Sequence, residues 1–441
     1  MNFVFTLLSW VAVAAADAPA APVTSLPAGP TLTLAQAEQN ALRHQPSIRQ
    51  ASGQTEAAEG RVEEARAGYL PQVTATGSYQ WITSNQVFRQ GSPMPMNPPA
   101  IKWTPQYAYW SFGLSGSQLI YDFNTTLDRW RSAAAGRDAA ASTAEGTAQQ
   151  ALLAVRRAYF QARAQGDLRV VAQDTLANQQ KHLDQIQSFV KAGMRSEIDL
   201  ATTRTAVANA RVQLVNAQGA EATAMAILNQ TMGQSDDQSF VLTDSEVPAV
   251  DGEDATTRDL SERALHARPE VAAAEQQRRA QELTVSALRG NYGPSISAVA
   301  SLTDAGIHID SLTPNWFVGL NASWALLQGG LTNGQVREAK GTLAALTAQA
   351  DVVRLQVTVD VEQGRLAVRA AKANIAATKE ALDGAREQLR LAEGRYRTGQ
   401  GSVIELADAQ VAYTTAAAQE VSARYSLASA RAQLLAALGV R

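Results

Sequence analysis

Cysteine is absent from the 441 residues of the chain, and its absence excludes several kinds of protein. Disulfide-stapled folds, thiolate metal centres and lipid attachment through a cysteine all require a thiol. A chain without free thiols also suits an oxidising compartment. Basic charge is not in excess either: the formal net charge is −3, so a nucleic-acid partner is not expected.

A catalytic constellation is also missing from the sequence. The histidines are few and scattered: His44, His182, His266 and His308. No H-E-x-x-H motif occurs, and the glycines between Gly329 and Gly334 only resemble a phosphate-binding loop, because Gln335 stands where that loop requires lysine. We therefore expect no enzymatic activity, no metal site and no cofactor.

No run of about 18 apolar residues follows the N-terminal segment, so a transmembrane helix is not expected in the mature chain. Residues 1–16 are mostly apolar and end in Ala14-Ala15-Ala16, which is typical of a secretory signal peptide with an A-x-A cleavage site. The segment lacks lysine and arginine before its apolar stretch, so a buried N-terminal helix is an alternative. Residues 17–31 are rich in alanine and proline and are expected to form a flexible leader.

An internal repeat organises the rest of the chain. Pro46 and Pro71 recur 223 residues later as Pro269 and Pro294. Farther along, the offset is 206 and stays constant for Gly113 and Gly319, Gly193 and Gly399, Ser196 and Ser402, and Gly233 and Gly439. The change of offset indicates an insertion before Trp110, in the proline-rich loop at 91–99. We predict two copies of one unit, at 32–233 and 255–440, joined by an acidic linker at 234–254.

The distribution of proline predicts very long helices. Proline costs about 3 kcal/mol inside a helix, and none occurs from Gln106 to Val247 or from Asn315 to Arg441. The two longest predicted helices are Thr125–Val190 and Leu331–Tyr396, each about 100 Å long. A returning helix is predicted after each of them, at 195–231 and 402–438. Shorter helices are predicted at 34–67 and 257–289. The alternation of Leu355, Val357, Val359 and Val361 also fits a strand, but no turn residues bound it, which favours helix.

Four segments alternate in polarity with a period of two residues: Gln72–Trp81, Trp110–Ser117, Ser295–Leu302 and Trp316–Trp324. One face of each is apolar and the other is small and polar, as in a membrane-spanning strand of about ten residues. Tryptophans in or beside these segments fit an interfacial aromatic girdle. A small soluble β-sandwich is the alternative. Four strands cannot close a barrel in lipid, so several chains would have to contribute strands.

Two tandem units of helix, strand pair, long helix, glycine turn and returning helix resemble the TolC family of outer-membrane efflux proteins. The residues that carry this resemblance are Tyr69-Leu70-Pro71, Tyr292-Gly293-Pro294, Ala192-Gly193 with Asp199-Leu200, Thr398-Gly399 with Glu405-Leu406, and Leu326-Leu327-Gln328-Gly329-Gly330. The resemblance implies a mainly α fold with a β-barrel part. It also implies a homotrimer with a twelve-stranded barrel in outer-membrane lipid and an α-barrel tunnel in the periplasm.

The family resemblance also implies the roles of particular residues. Glu405 and Asp408 match the acidic residues of the constricted periplasmic entrance, where stacked carboxylate rings attract cations; a solvated helix face is the alternative. Asp199 and Tyr396 match two positions of the contacts that hold the entrance closed. The arginine expected two residues after the turn glycine is replaced by Gly401, and Arg195 in the first unit is a candidate substitute.

The two glycine turns are implied to be docking tips for a periplasmic adaptor protein, which links the duct to an inner-membrane transporter. The tip residues are Gly193, Met194, Ser196, Gly399, Gln400 and Ser402. The implied function is a passive exit duct of an efflux pump or type I secretion system. A periplasmic coiled-coil adaptor or scaffold without a pore is the main alternative, and the sequence does not reveal the cargo.

Overall fold

The computed structural model describes residues 29–83, 106–235, 238–244, 247–253 and 255–440. The predicted signal peptide, most of the leader, the proline-rich insertion and Trp103 lie outside the described residues. The described elements, in chain order, are β1 (Thr31–Leu32), α1 (Leu34–His44), α2 (Pro46–Ala67), β2 (Gln72–Thr83), β3 (Gln106–Tyr121), α3 (Thr125–Lys191), α4 (Glu197–Thr231), β4 (Val241–Leu242), α5 (Thr257–Ala267), α6 (Pro269–Gly290), β5 (Ser295–Gly306), β6 (Thr313–Ser323), α7 (Leu331–Arg397) and α8 (Val403–Ala437).

The fold is mainly helical, and the same order of elements occurs twice along the chain. Helices of 11, 22, 67 and 35 residues appear in α1 to α4 and again in α5 to α8. The predicted long helices are confirmed to within one residue, and the ambiguous stretch around Val357 lies inside α7. Across the described parts of the chain, no helix is both long enough and apolar enough to cross a membrane.

The prediction of one continuous helix at 34–67 and another at 257–289 is wrong. Each is two helices that meet at a single extended residue, Gln45 with ψ 121° and Arg268 with ψ 125°. The next residue is proline in both cases. Its ring disfavours helical backbone in the residue before it, while the proline itself fits the first turn of the following helix.

The strands form one four-stranded antiparallel sheet in the order β2-β3-β5-β6. All four predicted strands are present, and β3 is longer than its alternating core. Tyr79 lies opposite Trp110, and Leu302 pairs with Trp316. Because β2 and β6 are the ends of this order, each has one edge without a neighbouring strand among the described residues. Apolar side chains on these strands are exposed in the isolated chain, including Val73 and Leu320.

The short strands β1 and β4 pair in parallel and pack against the middle of α3. Tyr159 of α3 is fully buried there. Its hydroxyl donates to the carbonyl oxygen of Leu32 at 3.0 Å and accepts from the backbone N–H groups of Thr243, at 3.2 Å, and Asp244, at 3.0 Å. One side chain therefore satisfies backbone groups of β1 and of the residues directly after β4.

The acidic segment before α5 is fastened to α7 and α8 by a buried carboxylate. Glu253 accepts from Lys372 Nζ at 2.7 Å and from Arg431 Nε at 3.2 Å, and also from the backbone N–H of Val250. Arg431 also donates to the carbonyl oxygen of Val247 at 2.8 Å. Burial alone would raise the pKa of Glu253, but the hydrogen bonds from Lys372 and Arg431 outweigh it and lower this pKa.

Candidate functional site

The long helices reverse direction in two glycine turns at one end of the molecule. Gly193 has φ +71° and Gly399 has φ +78°, a left-handed backbone that glycine adopts without steric cost. After α3, the N–H of Gly193 donates to Val190 and that of Met194 donates to Phe189, both at 2.9 Å. This Schellman arrangement satisfies the last carbonyl groups of the helix. The α7–α8 turn repeats it.

Serine side chains start both returning helices. Ser196 accepts from the N–H of Ile198 at 3.2 Å, and Ser402 accepts from the N–H of Glu405 at 3.1 Å. Such caps satisfy N–H groups that have no partner within the helix. The predicted docking residues therefore have structural roles: the two serines cap the returning helices, and the backbone of Gly193, Met194, Gly399 and Gln400 forms the turns, where all four residues are exposed.

The two hairpins touch each other near these turns through a small apolar cluster, here named the tip cluster. Its buried members are Ile186, Ala392, Tyr396, Leu406 and Ala409. Farther from the turns, polar contacts join α3 and α8: Gln179 donates to Gln410 at 2.6 Å, and the hydroxyls of Thr175 and Thr414 lie 3.2 Å apart. Water competes well for such polar contacts, so the tip cluster provides most of the hydrophobic adhesion between the ends of the hairpins.

Arg195 of the first turn reaches across to Tyr396 of the second hairpin. Its guanidinium carbon lies 4.6 Å from the centroid of the Tyr396 ring, a cation–π distance. Its Nη2 also lies 3.5 Å from the Tyr396 carbonyl oxygen. Tyr396 is 3% exposed, and its hydroxyl has no hydrogen-bond partner within the described parts of the chain. The contact between the hairpins therefore runs through the ring and the carbonyl group.

Asp199 lies near this contact without forming a hydrogen bond to the Tyr396 hydroxyl among the described residues. Burial raises the pKa of Tyr396, the positive charge of Arg195 opposes this rise, and the negative charge of Asp199 adds to it. The structure thus brings the three predicted gate residues together, with Arg195 over the ring of Tyr396 and no hydrogen bond from Asp199 to its hydroxyl.

The two predicted entrance carboxylates lie on the first turns of α8, and they have different surroundings. Glu405 Oε1 is 3.0 Å from Arg395 Nη1 at the end of α7. Asp408 is exposed and forms no ion pair with any described residue. The sequence analysis did not identify Arg395. Its position next to Tyr396, just before the turn that leads to Glu405, could have indicated that the two side chains pair.

Gly401, which stands where the arginine was expected, lies close to the end of α7. The residue is buried, and its N–H donates to the carbonyl oxygen of Arg395 at 3.0 Å. A Cβ atom here would lie 3.0 Å from the backbone nitrogen of Tyr396 and 3.1 Å from the carbonyl carbon of Arg395. A side chain at 401 would therefore require the preceding helix end to shift by a few tenths of an ångström.

A polar cavity of about 200 Å³ lies beside the tip cluster, between α3, α7 and α8. His182 lines it, with Nε2 at 3.8 Å from Glu393 Oε1. Burial lowers the pKa of His182. The charge of Glu393 and a hydrogen bond with Gln185 act in the opposite direction, and the charge of Arg397 lowers the pKa further.

Acidification is therefore expected to loosen the contact between the hairpins. A histidine with a lowered pKa in the packed state binds its proton more readily when the packing opens. Neutral His182 therefore stabilises the packed contact fully above the ordinary pKa of 6.5. This stabilisation is lost as the pH falls through the lowered pKa of the packed state. Hydrogen exchange in the α3 segment that follows His182, corrected for intrinsic pH effects, should quicken between pH 7.5 and pH 5. His182→Gln should lack this acid-induced change, and an identical pH response in that variant would contradict the assignment.

Comparison with known proteins agrees with this geometry. A profile of the outer membrane efflux protein family matches residues 37–234 and 260–440. The chain is 26% identical over 428 residues to the outer membrane protein TolC of Salmonella enteritidis, covering 92% of this chain and 83% of that protein. It is 26% identical over 437 residues to the protein CyaE of Bordetella pertussis, covering 95% of this chain and 88% of that one.

A solved structure shares the fold. The CmeC outer membrane channel of Campylobacter jejuni superposes with a TM-score of 0.80 at 16% identity, covering 92% of this chain and 85% of that one. The family profile spans both halves of this chain, each with its strand pair and long hairpin. The chain therefore belongs to the outer membrane efflux protein family, and it is an outer-membrane efflux or secretion channel with a helical tunnel in the periplasm.

Proposed function

We propose that three copies of this chain form one passive exit duct that carries substrates from an inner-membrane transporter across the periplasm and the outer membrane. The observation that carries this proposal is the four-stranded sheet with free edges at β2 and β6 and exposed apolar side chains. Open strand edges are not tolerated in lipid. Pairing β6 of one subunit with β2 of the next removes every edge, and three copies give twelve strands, a size that membrane barrels adopt.

The long hairpins support the same assembly. A helix of 67 residues is about 100 Å long, and a hairpin of this length has little core of its own. Apolar side chains remain exposed on α4, including Val212 and Val215, and on α7, including Val352 and Leu355. Neighbouring subunits would cover such surfaces by coiled-coil packing. A periplasmic scaffold without a pore is disfavoured, because it would leave the apolar face of the sheet in water.

The glycine turns are the proposed contact with a periplasmic adaptor protein. Both turns lie at the same end of the molecule, and Met194 is 63% exposed there. Methionine is common at adaptable binding surfaces. The cargo is then selected by the transporter rather than by the duct, whose proposed tasks are to open and to conduct.

The proposed constriction of the duct lies where Glu405 and Asp408 repeat around the threefold axis. Neutralising both in Glu405→Gln/Asp408→Asn is expected to lower cation selectivity in planar-bilayer recordings by several fold, because stacked carboxylates attract cations. The matched control is Asp383→Asn/Glu387→Gln, which removes the same charge from α7 away from the turn and should leave selectivity unchanged.

The recordings also separate the duct from the entrance assignment. Equal selectivity in the wild-type protein and the entrance variant would retain the channel but remove the constriction from these residues. A purified protein with the mass of one subunit would overturn the trimer itself.

A further inference from the structure

We propose that Arg395 acts as a fixed counter-charge to Glu405, so that Asp408 alone sets the cation selectivity of the entrance. This inference deepens the proposed function and rests on it. It concerns the balance of charges within each subunit, where two carboxylates would otherwise form two equivalent acidic rings. The structure makes the two carboxylates unequal.

The ion pair brings opposite charges together at the start of α8. Arg395 Nη1 lies 3.0 Å from Glu405 Oε1, and both side chains keep access to solvent, at 58% and 39% exposed. An exposed pair of this kind contributes little to stability. The pair nevertheless changes the electrostatic potential that a passing ion meets. Arginine stays protonated at any physiological pH, so its positive charge cancels the negative charge of the nearby carboxylate at distances beyond the pair itself.

The backbone of the turn keeps the two residues adjacent. The N–H groups of Gln400 and Gly401 both donate to the carbonyl oxygen of Arg395 at 3.0 Å. On the other side, Ser402 accepts from the N–H of Glu405 at 3.1 Å. Because Gly401 has no Cβ atom, the end of α7 approaches the start of α8 without the 3.0 Å contact that a Cβ would make with the backbone nitrogen of Tyr396. The glycine that replaces the expected arginine thus helps to place a different arginine beside Glu405.

Asp408 has no comparable partner. It lies one turn farther along α8, is exposed, and forms no ion pair in the described chain. Of the other arginines near the tip cluster, Arg195 is stacked on Tyr396, and Arg397 donates to the carbonyl oxygen of Glu393. In the proposed trimer, the Glu405 level is therefore close to neutral, and the Asp408 level carries the uncompensated negative charge.

The test measures the ratio of potassium to chloride permeability from reversal potentials in a salt gradient. Arg395→Gln should raise this ratio by about threefold, because each subunit regains an uncompensated carboxylate. Glu405→Gln should lower the ratio, since Arg395 is then unopposed, and Arg395→Gln/Glu405→Gln should return it to the wild-type value. The matched control is Arg390→Gln, which removes a paired arginine from the preceding turns of α7 and should leave the ratio unchanged.

The outcomes distinguish this inference from the function on which it rests. An unchanged ratio in Arg395→Gln, with Asp408→Asn still lowering it, would overturn the counter-charge and leave the entrance in place. Equal effects of Arg395→Gln and Arg390→Gln would overturn it too, because the response would then be a general one to arginine removal. An unchanged ratio in every variant, including Asp408→Asn, would overturn the entrance assignment itself.

Discussion

Glu253→Gln is expected to lower the stability of the assembled protein by about 3 kcal/mol, at the lower end of the effect of breaking a buried ion pair. The glutamine keeps the size of the side chain but removes the charge that Lys372 and Arg431 share. Arg431, which is only 15% exposed, then remains beside a neutral group. Thermal unfolding of the detergent-solubilised protein should show a lower midpoint.

The pH dependence gives this prediction a second readout. The lowered pKa of Glu253 means that its stabilising contribution is complete above the ordinary value of 4.5 and is lost as pH falls through the lowered value. The difference between the wild-type protein and Glu253→Gln should therefore shrink at acidic pH. Glu262→Gln is the matched control, because its partner Arg258 is 87% exposed and the expected change is below about 1 kcal/mol. Equal midpoints for wild type and Glu253→Gln would contradict the prediction.

Arg195→Gln is expected to shift the duct towards its open state. The contact with Tyr396 joins the first turn to the second hairpin through a charged side chain. A partly desolvated cation–π contact contributes about 1 to 2 kcal/mol, so its loss should raise the ratio of open to closed channels by roughly fivefold or more. Single-channel recordings of open probability and conductance provide the measurement.

Two further variants identify the interaction responsible. Tyr396→Phe keeps the ring, and the hydroxyl has no partner among the described residues, so the channel should stay closed. Opening in Tyr396→Phe would instead indicate a hydroxyl bond such as the one that the family resemblance implies with Asp199. Arg204→Gln, at an exposed position on α4 just after the turn that holds Arg195, controls for the loss of positive charge. An Arg195→Gln channel that remains as closed as the wild type would contradict the latch.

The helices and strands were predictable because their signals are strong and local. The absence of proline over more than a hundred residues leaves helix as the natural state of an alanine-rich segment, and alternation identified all four strands. The breaks before Pro46 and Pro269 were missed because proline is compatible with the first turn of a helix. Only the extended backbone of Gln45 and Arg268 shows that a new helix starts there.

The candidate site was predictable in its position but not in its contacts. The turn glycines, capping serines and acidic residues can be identified directly in the sequence, and the structure places them together at the hairpin ends. The pairing of Arg395 with Glu405 and the stacking of Arg195 on Tyr396 depend on side-chain conformations across a turn and between hairpins. No spacing rule fixes such conformations. The steric limit at Gly401 likewise depends on the approach of the backbone of α7.

The free edges of β2 and β6 have a genetic consequence. In the proposed trimer, each pairing of β6 with β2 joins two subunits, so one copy with a defective edge strand prevents closure of the whole barrel. If normal and defective copies are made in equal amounts and mix at random, only about one trimer in eight contains three normal copies. Mutations that disrupt the outer edge of β6 should therefore be dominant over the normal allele, whereas mutations that merely prevent synthesis of the chain should be recessive.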